Sequence, residues 1–431
     1  MTGVFLWYTT NVIYKLDART KTLPNGIRIV FIQNTTIASA YLYLTSTAGA
    51  YSENKDEVGV AHFLEHMVFE GTQQYPNNKS LKSLLDKTGA QMNATTDSYG
   101  VSFKFSSMVE DLESGFSVLS QFVTEPLLRP EDIEKERGII IQEINQHKKP
   151  TLFGNTAFKQ LYPDNKRGLI DVAGTKKHLD KIDQAMLKGF KERMYCGANF
   201  VLAVSSNNSW KEIELLFTKY FSKMAAGEKF AVPPTPLNKN FSILVSSTKK
   251  QEYTDIMLHY WAYKYRDMNK LKLIIGRYIL HKRLKRTLRD EQGLVYSFSC
   301  ETTATEHFGE LVLRTKTSLK NQTKVLEIIK GHIDKLIDKG LTKEEFDAAH
   351  KHIYAAKILY LDTPQNQVEN YGNMYVYDAP YKNHYDYFAE LKKITLQDVE
   401  NALKEVLSKP PRITIKTSGL TEKQVQDIWN N

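Results

Sequence analysis

His62, Glu65 and His66 stand in the order His-Phe-Leu-Glu-His inside an otherwise apolar run, VGVAHFLEHMVF, over residues 58–69. Each helical residue turns by about 100°, so positions four apart lie about 40° from one another and a position three on shares their side. Two imidazoles and a carboxylate therefore project from one helix face. Neutral imidazoles are good zinc ligands. A carboxylate beside them can take a proton from a water that the metal has acidified, without itself ligating. The order is the inverse of the better-known HExxH zinc-peptidase helix. Paired helical histidines are often only surface, yet three ionisable groups on so apolar a helix would be costly to bury idle.

A hydrolytic zinc site needs a third protein ligand and one open position. Residues 134–145 read EKERGIIIQEIN and set Glu136 and Glu143 two helical turns apart on one face. One can bind metal while the other hydrogen-bonds the ligands from behind. Spacing leaves open which does which, and the plainer reading makes both solvated glutamates. The other histidines have weaker claims. His147, one turn beyond Glu143, reads as surface, and His350 and His352, two apart on a predicted helix, face opposite sides and cannot share a metal.

The elements that must carry these groups alternate between period two and period 3.6. Strand patterns at 26–32 and 38–45 precede the helix predicted over 59–70; a helix at 81–87 stops before Gly89, and 91–106 reads as one or two strands. Helices at 111–124, 130–147 and 183–193, a strand at 199–204 and a helix at 210–221 complete the first half. Residues 225–240 (AAGEKFAVPPTPLNKN) combine Pro, Gly and polar residues without periodicity and predict a linker. The order then recurs: strands at 241–245 and 255–261, a helix over 270–290, strands at 295–303 and 309–315, helices at 321–339, 343–359 and 396–407, and a strand at 412–416. The expectation is a duplicated α+β unit, each copy a mainly antiparallel sheet with helices on one face. Its divisions are an N-terminal extension (1–16), a zinc-binding domain (17–224), the linker (225–240) and a C-terminal domain of the same fold (241–431).

Composition narrows the remaining classes. The chain has 431 residues, 42% hydrophobic and 25% charged, which suits two ordinary cores and excludes disorder or collagen. A formal charge of +9 favours acidic partners, but the charge is spread out. The denser run over 270–289 (KLKLIIGRYILHKRLKRTLR) fits an amphipathic helix with a solvated basic face. A nucleic-acid or lipid binder would show steep salt dependence, and no binding motif supports it. Cys196 and Cys300, the two cysteines, lie too far apart in sequence for metal-ligand spacing. No run of 18 apolar residues exists, so no membrane span is expected, and the short apolar patch over 4–8 has no basic leader. The expected location is cytoplasmic.

The chain resembles the pitrilysin–insulysin–mitochondrial processing peptidase family of inverted-motif zinc peptidases. The resemblance rests on GVAHFLEHMVFEG (59–71), GAQMNAT (89–95), ERGIIIQE (136–143) and RDEQGLVY (289–296), which span both halves in order. It implies two α/β-roll domains per chain, and short members of this kind pair into a clamshell while longer ones fuse four domains. It implies one zinc per chain held by His62, His66 and Glu143, with Glu65 as general base and Glu136 behind the ligands. It assigns Asn93 and Ala94 to an edge that pairs with the peptide backbone. It makes Arg289 and Tyr296 donors to substrate and oxyanion, acting by analogy in a partner's site. The glycine-rich loop of the non-catalytic processing-peptidase subunit is absent. The implied activity is endoproteolysis of short or unfolded peptides in the chamber of a homodimer; a heterodimeric or non-catalytic assembly subunit is the rival.

Overall fold

The computed structural model describes residues 18–146, 152–162, 172–234, 236–246 and 252–430. The N-terminal extension with its apolar patch, and His147, lie outside the described residues.

Six strands form the first sheet: β1 (Ala18–Thr22), β2 (Arg28–Gln33), β3 (Ser39–Ser46), β4 (Gln91–Thr96), β5 (Val101–Met108) and β6 (Phe200–Ser206). Their spatial order is β1-β2-β6-β3-β5-β4, with β2 and β6 parallel and the other pairs antiparallel. On one face pack α1 (Val60–Glu70), α2 (Asn78–Thr88), α3 (Leu112–Thr124), α4 (Pro130–Gln146), α7 (Gln184–Met194) and α8 (Trp210–Phe221). Two more helices, α5 (Leu152–Leu161) and the short α6 (Lys176–Leu179), lie between α4 and α7 in the chain. Strand alternation directs Leu42, Leu44, Phe103 and Phe105 into that core, and Tyr41 and Tyr43 to the opposite face. Gly89 ends α2 in the left-handed conformation, φ 62°, which glycine adopts without a Cβ penalty.

The second sheet repeats the plan. Strands β7 (Ser242–Ser246), β8 (Tyr253–Ala262), β9 (Val295–Ala304), β10 (Gly309–Ser318) and β11 (Arg412–Lys416) stand in the order β7-β11-β8-β10-β9, again with one parallel pair, β7 with β11. Position for position this matches β2-β6-β3-β5-β4. The helices here are α9 (Asn269–Lys285), α10 (Gln322–Lys339), α11 (Lys343–Leu361), α12 (Pro364–Val376), α13 (His384–Lys393), α14 (Leu396–Leu407) and α15 (Glu422–Asn430). The helix expected over 270–290 is α9 continued by a π-helical turn, Arg286–Glu291. The expected α+β class with two sheets and their helices is what the chain adopts. Residues 225–234 and 236–240 carry no strand or helix.

Two helices cross between the halves. Strand β6 is buried along its whole length, so its sheet needs a cover on both faces. The second cover comes from the other half: Val368, Tyr371, Met374 and Val376 of α12 pack on Val30, Ile32, Val201 and Ala203. Helix α5 returns the exchange, setting Ala157, Phe158 and Leu161 against Met257, Val312, Trp261 and Phe308 of the second half. Polar contacts fix both docks. Tyr43 donates to Asn373 at 3.2 Å, Lys104 pairs with Glu369 at 2.7 Å, and Thr414 donates to Gln160 at 2.6 Å. Asp378, just past α12, gathers Arg28 at 3.2 Å, Arg266 at 3.4 Å and Lys229. Tyr371 is fully buried at the centre of the α12 dock. Tyr371→Ala is expected to cost about 3–5 kcal/mol, the range for large aromatic truncations. Urea unfolding followed by tryptophan fluorescence should show a lower midpoint; an unchanged midpoint would mean that the α12 dock adds nothing to stability.

Candidate metal centre

The first turn of α1 is set by two residues before it. Gly59 adopts φ +92°, and a Cβ there would lie 2.9 Å from the Ala173 carbonyl oxygen. With no side-chain cap at Gly59, the job falls to Glu53, which is 4% exposed and accepts from Gly59 N at 3.1 Å and Ala61 N at 3.0 Å. A carboxylate on the first N–H groups also meets the positive end of the helix dipole. That anchor fixes the rotation of α1, and with it the stripe that carries His62 and His66.

Helix α4 supplies the facing carboxylates. His66 Nε2 lies 3.5 Å and His62 Nε2 3.8 Å from the same Glu143 oxygen, Oε2. Three ligand atoms, one each from His62, His66 and Glu143, lie within 4.8 Å of one another. These distances exceed a good N–H···O bond of about 2.7–3.2 Å. They approach the separation of about 3.4 Å between ligands of a tetrahedral ion with bonds near 2.1 Å. The atoms are thus arranged around a common centre rather than bonded to each other, and the donor set suits zinc. On its far side His66 Nδ1 meets Glu136 Oε2 at 3.0 Å, and the Glu136 side chain is 6% exposed. A buried carboxylate on the rear nitrogen holds the ring with Nε2 forward. The order of exposure, 12% for His62, 22% for His66 and 36% for Glu143, shows that the centre opens on the Glu143 side.

Glu65, buried on the same helix face, accepts a hydrogen bond from Thr96 Oγ1 at 2.8 Å. Burial pushes its carboxyl above the ordinary range and Glu143 adds to this, with Thr96 and His66 opposing. A carboxylate so raised is a better base than a solvated one. For His66 burial pulls downward, but the Glu136 bond and the charges of Glu65, Glu136 and Glu143 outweigh it, so the imidazole ends up raised. Three carboxylates crowd two imidazoles, and a dication at the centre would relieve their repulsion. Glu136→Gln keeps the shape but weakens the grip on His66. Zinc affinity is expected to fall about 10–100-fold, as for other outer-shell partners, read by competition with a chromophoric chelator; an unchanged affinity would mean that Glu136 does not support the ligand.

The structure does not bring every expected site residue here. Asn93 and Ala94 lie on β4, which pairs with β5 on one side and is the last strand of its sheet. Ala94 N donates to Asn93 Oδ1 at 2.9 Å. Arg289, in the π-helical turn, and Tyr296, on edge strand β9, belong to the second half and make no side-chain hydrogen bond or ion pair among the described residues. Tyr296 is 89% exposed. His350 is buried, with Nε2 2.8 Å from the Leu391 carbonyl oxygen, and His352 stacks on Tyr278. Sequence reasoning did not single out Glu53 or Thr96. Thr96 was within reach, because β4 alternation puts it on the α1 side with Met92 and Ala94. Glu53 sits in a loop with no periodic signal.

An inverted HxxEH helix facing a two-carboxylate helix, on one of two duplicated units, defines a class of metallopeptidase-like folds. The comparisons identify which. Residues 28–168 match the family model described as Insulinase (Peptidase family M16), and residues 181–352 match Peptidase M16 inactive domain. The chain belongs to peptidase family M16. It is 22% identical over 394 residues to an "Uncharacterized zinc protease" of Rickettsia felis, covering 90% of this chain and 94% of that one. It is 30% identical over 225 residues to the mitochondrial-processing peptidase subunit beta of Saccharomyces cerevisiae, covering 51% of this chain and 46% of that one. The fold matches a crystal structure described as the peptidase M16 inactive domain from Pseudomonas fluorescens, with TM-score 0.84 at 19% identity, over 94% of this chain and all of that one.

Proposed function

We propose that this chain is a zinc-dependent endopeptidase acting on short or unfolded peptides, with one zinc per chain held by His62, His66 and Glu143. The observation that carries the proposal is the convergence of those three ligand atoms beside a buried, Thr96-oriented Glu65. Zinc in such a donor set acidifies water and polarises a carbonyl. The chain's own groups do the rest. Glu65 accepts the proton of the attacking water and passes it to the leaving amine. Ala94 and its neighbours on β4 offer backbone groups to a peptide added as a further strand, once the Asn93 side chain releases the Ala94 N–H. The test is peptide-library digestion read by mass spectrometry, with and without chelator, beside elemental analysis. A metal-free protein, or cleavage indifferent to chelator, would remove the proposal.

Arg289 and Tyr296 complete the chemistry from a second copy. Both are exposed and make no side-chain hydrogen bond or ion pair among the described residues, and both lie on the half without the zinc motif. In a homodimeric clamshell they would donate to the substrate carbonyl and the developing oxyanion. Arg289→Ala and Glu65→Gln chains, each inactive alone, are then expected to regain activity when mixed, through sites that combine the intact half of each. No recovery in a mixture shown to exchange subunits would rule out action in trans. A heterodimeric or non-catalytic assembly role is a second reading, favoured by the match to a protein named as a subunit. The heterodimeric form predicts activity only after a different chain is added; the non-catalytic form predicts that Glu65→Gln leaves the activity of such a pair unchanged.

A further inference from the structure

On the face of the first sheet turned away from α1 there is a cavity of about 390 Å³ that reaches the free edge of β4. We infer that it is a specificity pocket for an aromatic side chain of the bound peptide; the inference rests on the peptidase reading above and names its substrate preference. The register supplies the argument. Tyr43, Lys104 and Asn93 form one cross-strand row, and Tyr41, Ser106 and Gln91 the next, both on the same face. Each row runs out at β4. A strand added there would extend the rows, because directly opposed residues on neighbouring strands share a face with Cβ atoms about 4.5–5.5 Å apart. Its alternate residues point the other way, to the side of Thr96 and Glu65. Neighbouring positions of one peptide would therefore meet two surfaces: the metal side, and this cavity.

The lining selects the ligand. Tyr41, only partly buried, offers aromatic surface beside the buried Tyr43, and the wall is Gln365 and Glu369 of α12, lent by the second half. The charges in the cavity are already matched, since Lys104 pairs with Glu369 at 2.7 Å and lies 5.8 Å from the Tyr43 ring centroid. A charged side chain would have to compete with that pair. An aromatic ring can pack on Tyr41 and leave it intact, since aromatic pairs attract beyond what area burial alone gives.

The experiment uses the full-length protein and a set of short unstructured peptides with a single tyrosine scanned through each position, each beside an alanine twin. Binding is read by fluorescence anisotropy in chelator, so turnover is not required; cleavage sites are read separately with zinc. The expected result is about tenfold tighter binding of the tyrosine peptide at one position. Gln365 is exposed on α12, and Gln365→Trp fills the cavity from its rim. In that variant the tyrosine-to-alanine ratio should collapse towards one while the alanine twin binds as before. Gln365→Ala, with the same helix and an open cavity, should keep the ratio. Equal binding of the twins by the wild-type chain, or a ratio that survives Gln365→Trp, overturns the pocket. Failure to cleave any peptide with zinc overturns the peptidase reading instead, and the binding ratio still decides the pocket.

Discussion

Glu65→Gln should load zinc as the wild-type chain does and turn over peptide about 10²–10⁴-fold more slowly, the usual cost of losing a general base. The substitution is nearly isosteric, and an amide oxygen can still accept from Thr96, which bonds Glu65 at 2.8 Å. What is lost is the capacity to hold a proton. Because burial already disfavours the charged carboxylate, a neutral amide at this position should not lower thermal stability. The variant thus separates chemistry from folding: kcat falls while metal content and melting temperature hold. Wild-type turnover by Glu65→Gln would strip Glu65 of its assigned role.

The second large effect is at Glu143, the proposed third ligand, on α4. Glu143→Ala should abolish stoichiometric zinc binding, and with it the stabilisation that zinc confers. A ligand present at about a thousand times its dissociation constant stabilises a fold by about 4 kcal/mol, so added zinc should raise the melting temperature of the wild-type and Glu65→Gln chains and leave Glu143→Ala unmoved. Without metal the variant should fold normally, since Glu143 is partly exposed and adds to the charge that raises Glu65. Its zinc deficit should exceed that of Glu136→Gln, because one removes a ligand and the other only its support. If the two variants lost affinity equally, the division of labour between Glu143 and Glu136 would fail.

The chemistry of the site was more legible in the sequence than its support. His62, Glu65 and His66 announce themselves because a single helix presents all three, so local spacing carries the geometry. Glu136 and Glu143 could be placed on one face, but which of them binds metal depends on how α4 crosses α1, and helical period alone does not contain that crossing. Glu53 acts through loop geometry and leaves no pattern at all. Among the elements, β1, α5, α6, α13 and α15 were missed, and α12 is the omission that matters most. Pro364 looks like a breaker but occupies the first turn, behind Thr363, whose hydroxyl accepts from Asn366 N at 3.4 Å. Its apolar stripe is diluted by amides, and Gly372 lowers its propensity. That glycine is there because a Cβ would come within 2.6 Å of the Tyr43 ring. The partner that justifies α12 is a sheet hundreds of residues earlier, beyond any local window. The same reasoning explains β6: apolar on both faces, it signalled a strand but not the origin of its second cover.

The reciprocal loan of α5 and α12 has an evolutionary corollary. If the two units descend from one, the single-unit forebear could not have stood alone with its sheet half bare. It would have been a two-fold pair of identical chains, each reaching an arm across to its twin. Joining the copies end to end would then have turned an encounter that depends on concentration into one that the polypeptide carries with it. Afterwards each copy was free to specialise, one retaining the paired imidazoles and the other the exposed Arg289 and Tyr296.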